Sequence, residues 1–169
     1  AGERLLTRHS AKPGDRVWVT NTLGKGGAAL KLLSDSGSAG SRKKCLTLSE
    51  QQRLASHFYA PDVLLEFGKS LTAISNTAID ISDGLMADAK HIAKRSEVKM
   101  LLDWNLLPVD PSIKKLGSVQ EVQQWVLSHG DEYQLLFTLN PEKEAALNKL
   151  MVEMAVKCTR IGEVVSGQG

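Results

Sequence analysis

The amino-acid pattern predicts a single domain of the α/β or α+β class. Segments typical of strands interleave along the chain with segments of helical spacing, and no internal repeat occurs. The two kinds of segment do not alternate regularly enough to indicate a doubly wound parallel sheet. A length of 169 residues suits one domain that buries a hydrophobic core of its own.

The expected strands are short segments of alternating or continuously apolar residues beside turn signals. The first, 16–20, follows the turn Lys12-Pro13-Gly14-Asp15. The remaining expected strands are 78–81, 98–102, 133–139 and 159–165. The glycines of 24–27 lack the GxxxxGK[ST] pattern of a phosphate-binding loop. They therefore predict a tight turn between the first strand and the helix that follows it.

The expected helices show apolar residues at helical spacing. They lie at 28–33, 48–58, 62–71, 83–95, 119–127 and 142–154. Pro61 separates the second of these helices from the third, because the residue before a proline disfavours helical conformation. Between the first and the second helix, the stretch 34–44 is rich in Ser, Gly and Lys. This composition, inside a globular pattern, predicts a mobile surface loop rather than a domain linker.

Composition and charge exclude several classes of function. The chain carries 21 basic and 19 acidic residues, evenly mixed, so it offers no basic face for nucleic acid. No segment approaches the ~18 apolar residues of a membrane span, and the polar start does not resemble a secretory signal. Cys45 and Cys158 form no CxxC pair and no disulfide framework. We therefore expect a cytoplasmic protein without nucleic-acid or membrane partners.

The stretch from Ala78 to Leu85, Ala-Ile-Asp-Ile-Ser-Asp-Gly-Leu, carries the most informative polar residues. In a strand, Asp80 and Ser82 point to the same side, and Asp83 then opens the turn into a helix. Two carboxylates are thus expected at a strand end, beside a helix N-terminus that favours anions. Carboxylate oxygens hold magnesium, which bridges phosphate oxygens, and a serine hydroxyl can donate to a phosphate.

A purely structural explanation accounts for part of this pattern. Ser82 or Asp83 can serve as the N-cap of the helix, without any ligand. Capping does not explain Asp80, which stands between Ile79 and Ile81 in an expected buried strand, where a lone carboxylate is costly. From the residues alone, capping and metal or phosphate binding both remain open.

A second polar cluster, Gly130-Asp131-Glu132, precedes an apolar strand pattern. Taken by itself, it is typical of a surface turn. The chain's histidines have no partner at metal-ligand spacing, so a histidine metal site is not expected; they are His9, His57, His91 and His129.

Together these segments resemble the thiamine-monophosphate kinase family. The matching landmarks run in order through nearly the whole chain: 6–8, 11–15, 19–24, 78–85, 88, 91–92, 106–108, 130–137 and 161–162. The Ile-Asp-Ile-Ser-Asp-Gly-Leu motif of 79–85 is the most specific of them. The family has two domains and belongs to the superfamily of aminoimidazole-ribonucleotide synthetase. Its members transfer the γ-phosphoryl group of ATP to thiamine monophosphate, with several magnesium ions.

The resemblance carries expectations for fold and site. It implies an α+β fold, an α/β sandwich in which a mixed sheet packs with helices, of the superfamily's C-terminal type. Asp80 and Asp83 would be Mg²⁺ ligands, and Arg8 and Ser82 would contact ATP. Asp131 falls where the family has a glutamate that contacts the thiamine substrate.

This chain also departs from the family's pattern. The usual Gly-Glu-Asp-Tyr-Glu-Leu is here Gly-Asp-Glu-Tyr-Gln-Leu, at 130–135, with its first two acids exchanged. Asn21 and Lys25 replace the usual Gly and Asp, and Ala60 replaces the Arg of an Arg-Pro motif. These changes keep a non-catalytic nucleotide-binding domain as an alternative. A second alternative is a selenophosphate synthetase or a hydrogenase-maturation relative, which the motifs of 79–85 and 130–133 disfavour.

The family's N-terminal motifs, Gly-Asp-Asp-Ala, Thr-Asp and Gly-Gly-Asp-Thr, do not occur in the chain. Residues 1–169 are therefore expected to form the single C-terminal domain of a two-domain kinase, without the N-terminal half of that kinase. Since most magnesium ligands belong to that half, we expect this portion to be inactive alone. The full-length protein is expected to be a homodimer, and this portion by itself a monomer.

Overall fold

Five strands form one sheet at the centre of the protein, whose computed structural model describes residues 5–34 and 44–167. The strands are β1 (Arg16–Thr20), β2 (Thr77–Asp80), β3 (Lys99–Leu102), β4 (Leu135–Leu139) and β5 (Cys158–Val165). They lie in the order β2-β4-β1-β5-β3. Each neighbouring pair is antiparallel. In the described ranges, parallel pairing is confined to the isolated bridges Thr7–Thr77 and Leu23–Val109.

Seven helices and two short 3₁₀ turns connect these strands in the described residues. The helices are α1 (Lys25–Ser34), α2 (Leu48–Tyr59), α3 (Leu65–Leu71), α4 (Leu85–Ser96), α5 (Ile113–Leu116), α6 (Val119–Leu127) and α7 (Glu144–Glu153). The 3₁₀ turns are Trp104–Leu106 and Pro141–Lys143. Capping boxes fix the starts of α2 and α6, where Thr47 pairs with Glu50 and Ser118 with Glu121.

Helices pack against both faces of the sheet. Successive residues of β4 point to opposite faces, so Leu136 and Phe137 enter different clusters of buried residues. The larger cluster joins one face to α1, α2, α4, α5 and α6, and the smaller joins the other face to α3 and α7. The expected α+β sandwich is therefore confirmed, but its middle layer is an antiparallel sheet rather than the expected mixed one.

The expected element boundaries hold within a few residues, and the deviations have local causes. β4 begins at Leu135 rather than at 133, because Tyr133 has a positive φ of 52° that interrupts extended backbone. α4 begins at Leu85 rather than at 83, because Gly84 has a φ of 107°. The short helix α5 carries no sequence signal that we recognised. Most of the expected loop at 34–44 lies outside the described residues. None of the described helices has the length and apolar character of a membrane span.

The pairing of β2 with β4 determines where the candidate site lies. Asp80, the last residue of β2, stands opposite Leu135, the first residue of β4. The segment that leaves β2 therefore runs beside the segment that enters β4. Backbone hydrogen bonds continue this pairing beyond the strands, since Ile81 N–H donates to Gln134 O and Tyr133 N–H donates to Ile81 O.

Leu147 tests the packing of the smaller cluster, in which it is fully buried among residues of β4 and α3. We expect Leu147→Ala to lower the free energy of unfolding by about 2–5 kcal/mol, because it removes buried methyl groups and leaves a cavity. Urea denaturation measures the change. The control is Val152→Ala on the same helix, where the side chain is 82% exposed and the change should stay within about 0.5 kcal/mol. Equal effects of the two substitutions would contradict this packing.

Candidate functional site

A cavity of about 370 Å³ opens where β2 ends and α4 begins. It brings together four of the residues that the sequence pointed to, although they are up to 75 positions apart: its lining includes Arg8, Asp80, Ser82 and Asp83. Asp131, the fifth, does not line this cavity. It lies on the adjoining loop, where its backbone N–H donates to Ser82 O at 3.2 Å.

The start of α4 has no side-chain cap. Gly84 occupies the N-cap position, and no side chain caps the helix. The structural explanation in which Ser82 or Asp83 is the cap is therefore wrong. A side chain at 84 would also meet the backbone of Ser128, since an added Cβ would lie 2.9 Å from Ser128 O. A helix start without a cap offers backbone N–H groups and positive dipole to an anion.

The buried acid of the cavity is Asp88, and the expectation that Asp80 is buried was wrong. Asp80 is exposed at the end of its edge strand, whereas Asp88 on the first turn of α4 is 1% exposed. Asp88 Oδ2 accepts a hydrogen bond from Asp83 N–H at 3.1 Å. Burial raises the pKa of Asp88, and the nearby charges of Asp83 and Asp80 raise it further. A cation in this cavity would relieve that repulsion.

His91 joins these acids, contrary to the expectation that no histidine has a partner at ligand spacing. Ligand atoms of Asp83, Asp88 and His91 all lie within 4.8 Å of one another. Asp88 and His91 are three residues apart on α4 and so share one face of the helix. That spacing was visible in the sequence, but the position of Asp83 at the preceding turn was not. Two carboxylates and an imidazole can ligate a divalent cation.

Arg8 supplies the positive side of the cavity. Its segment is held by the neighbouring chain, because Thr7 N–H donates to Asn76 O and Ala78 N–H donates to Thr7 O. Ser96 at the end of α4 donates through Oγ to Arg8 O at 3.3 Å. A second cavity of about 340 Å³, lined by Arg8, His9 and Arg95, adjoins this segment. Sequence reasoning missed Arg95, which comes close to Arg8 only through the packing of α4.

The loop before β4 is anchored by an acid that the sequence had placed in a surface turn. Glu132 is fully buried, so the surface-turn interpretation is wrong for this residue. Its Oε1 accepts hydrogen bonds from Gly24 N–H at 2.9 Å and Gly26 N–H at 2.8 Å, at the start of α1. The expected tight turn between β1 and α1 is present, but it comprises residues 21–24, because α1 already begins at Lys25 and includes Gly26 and Gly27.

Burial favours the uncharged forms of Glu132 and of its neighbour His57. Burial raises the pKa of Glu132 to about 7, although the N–H groups of Gly26 and Gly24 and the charge of Lys25 oppose the shift. Burial also lowers the pKa of His57, and the Lys25 charge lowers it further. His57 Nε2 lies 3.1 Å from Asp131 O and 4.0 Å from Glu132 Oε2.

Asp131 is presented to solvent by this loop. Its backbone has a positive φ of 60°, and its carboxylate Oδ1 accepts a hydrogen bond from Tyr133 Oη at 3.1 Å. The same hydrogen bond raises the pKa of Tyr133. An exposed carboxylate oriented in this way can contact a cationic ligand beside the cavity.

The raised pKa of Glu132 predicts a specific pH dependence of stability. A carboxyl whose folded pKa lies above its unfolded value of 4.5 stabilises the fold below pH 4.5, and this contribution is lost as pH rises through about 7. Glutamine cannot ionise. We therefore expect the stability of the wild type, relative to Glu132→Gln, to fall by on the order of 3 kcal/mol between pH 4.5 and pH 8.

Urea denaturation of both proteins at a series of pH values measures this difference. His57 titrates in both proteins, so its contribution largely cancels in the comparison. A difference that stays constant with pH would contradict the burial of an ionisable group at position 132.

Comparisons with known proteins show which family this chain belongs to. Residues 12–169 match the family model "AIR synthase related protein, C-terminal domain". The thiamine-monophosphate kinase of Pyrococcus abyssi is 36% identical over 168 residues, which are 99% of this chain and 48% of that protein. The chain thus spans about half the length of the curated relatives that it matches.

Solved structures show the same similarity in three dimensions. The crystal structure of thiamine-monophosphate kinase from Stenotrophomonas maltophilia superposes with a TM-score of 0.87 at 34% identity, over 97% of this chain and 51% of that one. AaThiL, solved in complex with AMPPCP and TMP, has a TM-score of 0.81 at 32% identity, over 99% of this chain and 50% of that one. The fold and the match over residues 12–169 agree: this chain belongs to the family described as "AIR synthase related protein, C-terminal domain".

Proposed function

We propose that the complete gene product containing this domain phosphorylates thiamine monophosphate. In this reaction the γ-phosphoryl group of ATP is transferred to the phosphate of thiamine monophosphate, which gives thiamine diphosphate and ADP. The observation that carries the proposal is the cavity at the junction of β2 and α4. It sets Asp80 and Asp83 beside Arg8 and an uncapped helix start. The structures similar to this chain include AaThiL, which was solved in complex with AMPPCP and TMP.

The acids of the cavity fit magnesium. Asp80 and Asp83 are exposed to the cavity, and the buried Asp88 behind them has a raised pKa, as expected for a carboxylate lacking a countercharge. We assign Asp80 and Asp83 as the ligands that would hold Mg²⁺, and Asp88 and His91, whose ligand atoms lie within 4.8 Å of those of Asp83, could assist at that residue. Bound magnesium would neutralise the charge of the ATP phosphates.

Arg8 and Ser82 are proposed to orient the ATP phosphates. The guanidinium of Arg8 can bind phosphate oxygens in a bidentate manner, and the Ser82 hydroxyl can donate to one of them. The start of α4 adds backbone N–H groups on the same side. No side chain needs to act as a nucleophile, because the acceptor phosphate of the substrate attacks the γ-phosphorus directly. The domain's contribution is to position the phosphates and neutralise their charge.

Asp131 is proposed to contact the thiamine moiety. Thiamine carries a cationic ring, which an exposed carboxylate attracts. The hydrogen bond from Asp131 N–H to Ser82 O supports this proposal, because it holds Asp131 close to a residue proposed to bind ATP. The two substrates of the transfer would then meet at the junction of the two loops.

We place this reaction in the cytoplasm and propose a homodimer as the full-length form. No disulfide joins the exposed Cys45 to the buried Cys158, which suits a reducing compartment.

Asp80→Asn and Asp83→Asn test the metal assignment in the complete gene product. Each substitution preserves side-chain volume but removes the charge that magnesium requires. We expect thiamine diphosphate formation to fall by about two or more orders of magnitude and to recover partly at raised Mg²⁺. Calorimetric titration with Mg²⁺ should show weaker binding, while the melting temperature stays near that of the wild type.

The matched control is Asp62→Asn, which changes an exposed carboxylate that does not line the cavity. This variant should keep its activity and its affinity for magnesium. Wild-type activity of Asp83→Asn would reject the proposed role of that residue.

A further inference from the structure

We propose that Glu132 is a positioning residue, whose buried side chain fixes the 130–134 loop to the start of α1 and thereby orients Asp131 toward the thiamine substrate. The inference rests on the proposed function, in which Asp131 makes that contact. Glu132 itself touches neither substrate in this scheme. It acts through the backbone of its neighbour.

The link from Glu132 to α1 is short, buried and made by one atom. Oε1 receives both hydrogen bonds, at 2.9 Å from Gly24 N and 2.8 Å from Gly26 N. Oε2 is buried as well and has no hydrogen-bond partner among the described residues. The carboxyl group therefore acts through the acceptor at Oε1. An amide oxygen at the same place would serve equally well, whereas a methyl group would leave two N–H groups without a partner.

The loop needs such a link because its backbone is strained on both sides of Glu132. Asp131 and Tyr133 have φ values of 60° and 52°, in the left-handed region that residues with a Cβ adopt at a cost. Such conformations persist where surrounding structure holds them. If this segment adopted an extended conformation instead, the side chain of Asp131 would point in another direction.

Backbone contacts hold the other face of the same loop. Asp131 N–H donates to Ser82 O, and Glu132 N–H donates to Ile81 O at 3.2 Å. Gly130 permits this approach, because an added Cβ would lie 2.0 Å from Ser82 O. His57 contributes through its Nε2, 3.1 Å from Asp131 O. The loop thus lies between α1 and the β2–α4 connection, and Glu132 is its side-chain attachment to α1.

The substrate side and the nucleotide side of the site should therefore respond differently to changes at position 132. The cavity residues are held by β2 and α4, which do not depend on the Glu132 side chain. Asp131 depends on it directly, because the two are adjacent in the chain. Loss of the link should weaken the interaction with thiamine monophosphate more than the interaction with ATP.

Steady-state kinetics of the complete gene product test this inference. We expect Glu132→Ala to raise the KM for thiamine monophosphate by about tenfold or more and the KM for ATP by less than about threefold. Glu132→Gln, which retains an acceptor oxygen, should bring both KM values to within about threefold of wild type. Leu147→Ala, buried on the opposite face of the sheet, is the control for general destabilisation and should leave both KM values unchanged.

If Glu132→Ala is not recovered folded, Glu132→Asp takes its place, since it shortens the side chain by one methylene. The inference is overturned if the variant that loses the link keeps the wild-type KM for thiamine monophosphate. A parallel rise of both KM values, or the absence of rescue by glutamine, would overturn it as well.

Hydrogen exchange separates this inference from the proposed function. The amides of 131–133 should lose protection in Glu132→Ala and regain it in Glu132→Gln, whether or not the wild type turns over thiamine monophosphate. A wild type without thiamine diphosphate formation, but with this exchange pattern, refutes the proposed function and leaves the loop-fixing role of Glu132 standing. An active wild type with unchanged protection in Glu132→Ala refutes the positioning role alone.

Discussion

The antiparallel pairing of β2 with β4 does not stop where the strands end. Beyond Asp80, the carbonyls of Ile81 and Ser82 accept hydrogen bonds from the backbone of the 131–133 segment. Since one segment leads into α4 and the other carries Asp131, this extension brings two separate parts of the chain to one place. The acids of the cavity lie on β2, on α4 and in the turn between them, and these backbone bonds bring the exposed carboxylate of Asp131 beside that cavity.

A buried acidic side chain lies at the start of each of two helices, α1 and α4. The environments of these two acids differ from that of Asp110, which forms an ion pair with Arg53. Glu132 lies at α1 and Asp88 at α4, and burial raises the pKa of each. Burial alone would also raise the pKa of Asp110, but hydrogen bonds from Arg53 and Ser112 outweigh it and hold the value at about 2. Asp110 is satisfied within the protein, whereas Asp88 lines a cavity among other acids. This contrast favours the cation site at α4.

The sequence predicted the strands, most helices and the grouping of Asp80, Ser82 and Asp83, because these features depend on residues close together in the chain. The predicted burial of two acidic residues was wrong. The apolar neighbours of Asp80 predicted a buried side chain, yet β2 is an edge strand that leaves its last residue exposed. The polar neighbours of Glu132 predicted an exposed side chain, yet it is buried, and its hydrogen-bond partners lie more than 100 positions away, at Gly24 and Gly26. Contacts of that separation leave no local pattern.

Phosphorylation of thiamine monophosphate by the complete wild-type gene product tests the central claim most directly. In a reaction with ATP and Mg²⁺, followed by chromatography, we expect thiamine diphosphate and ADP to accumulate in equal amounts. Neither product should appear when thiamine monophosphate is omitted. ATP consumption that does not depend on thiamine monophosphate would contradict the account, as would a folded protein that binds AMPPCP and forms no thiamine diphosphate.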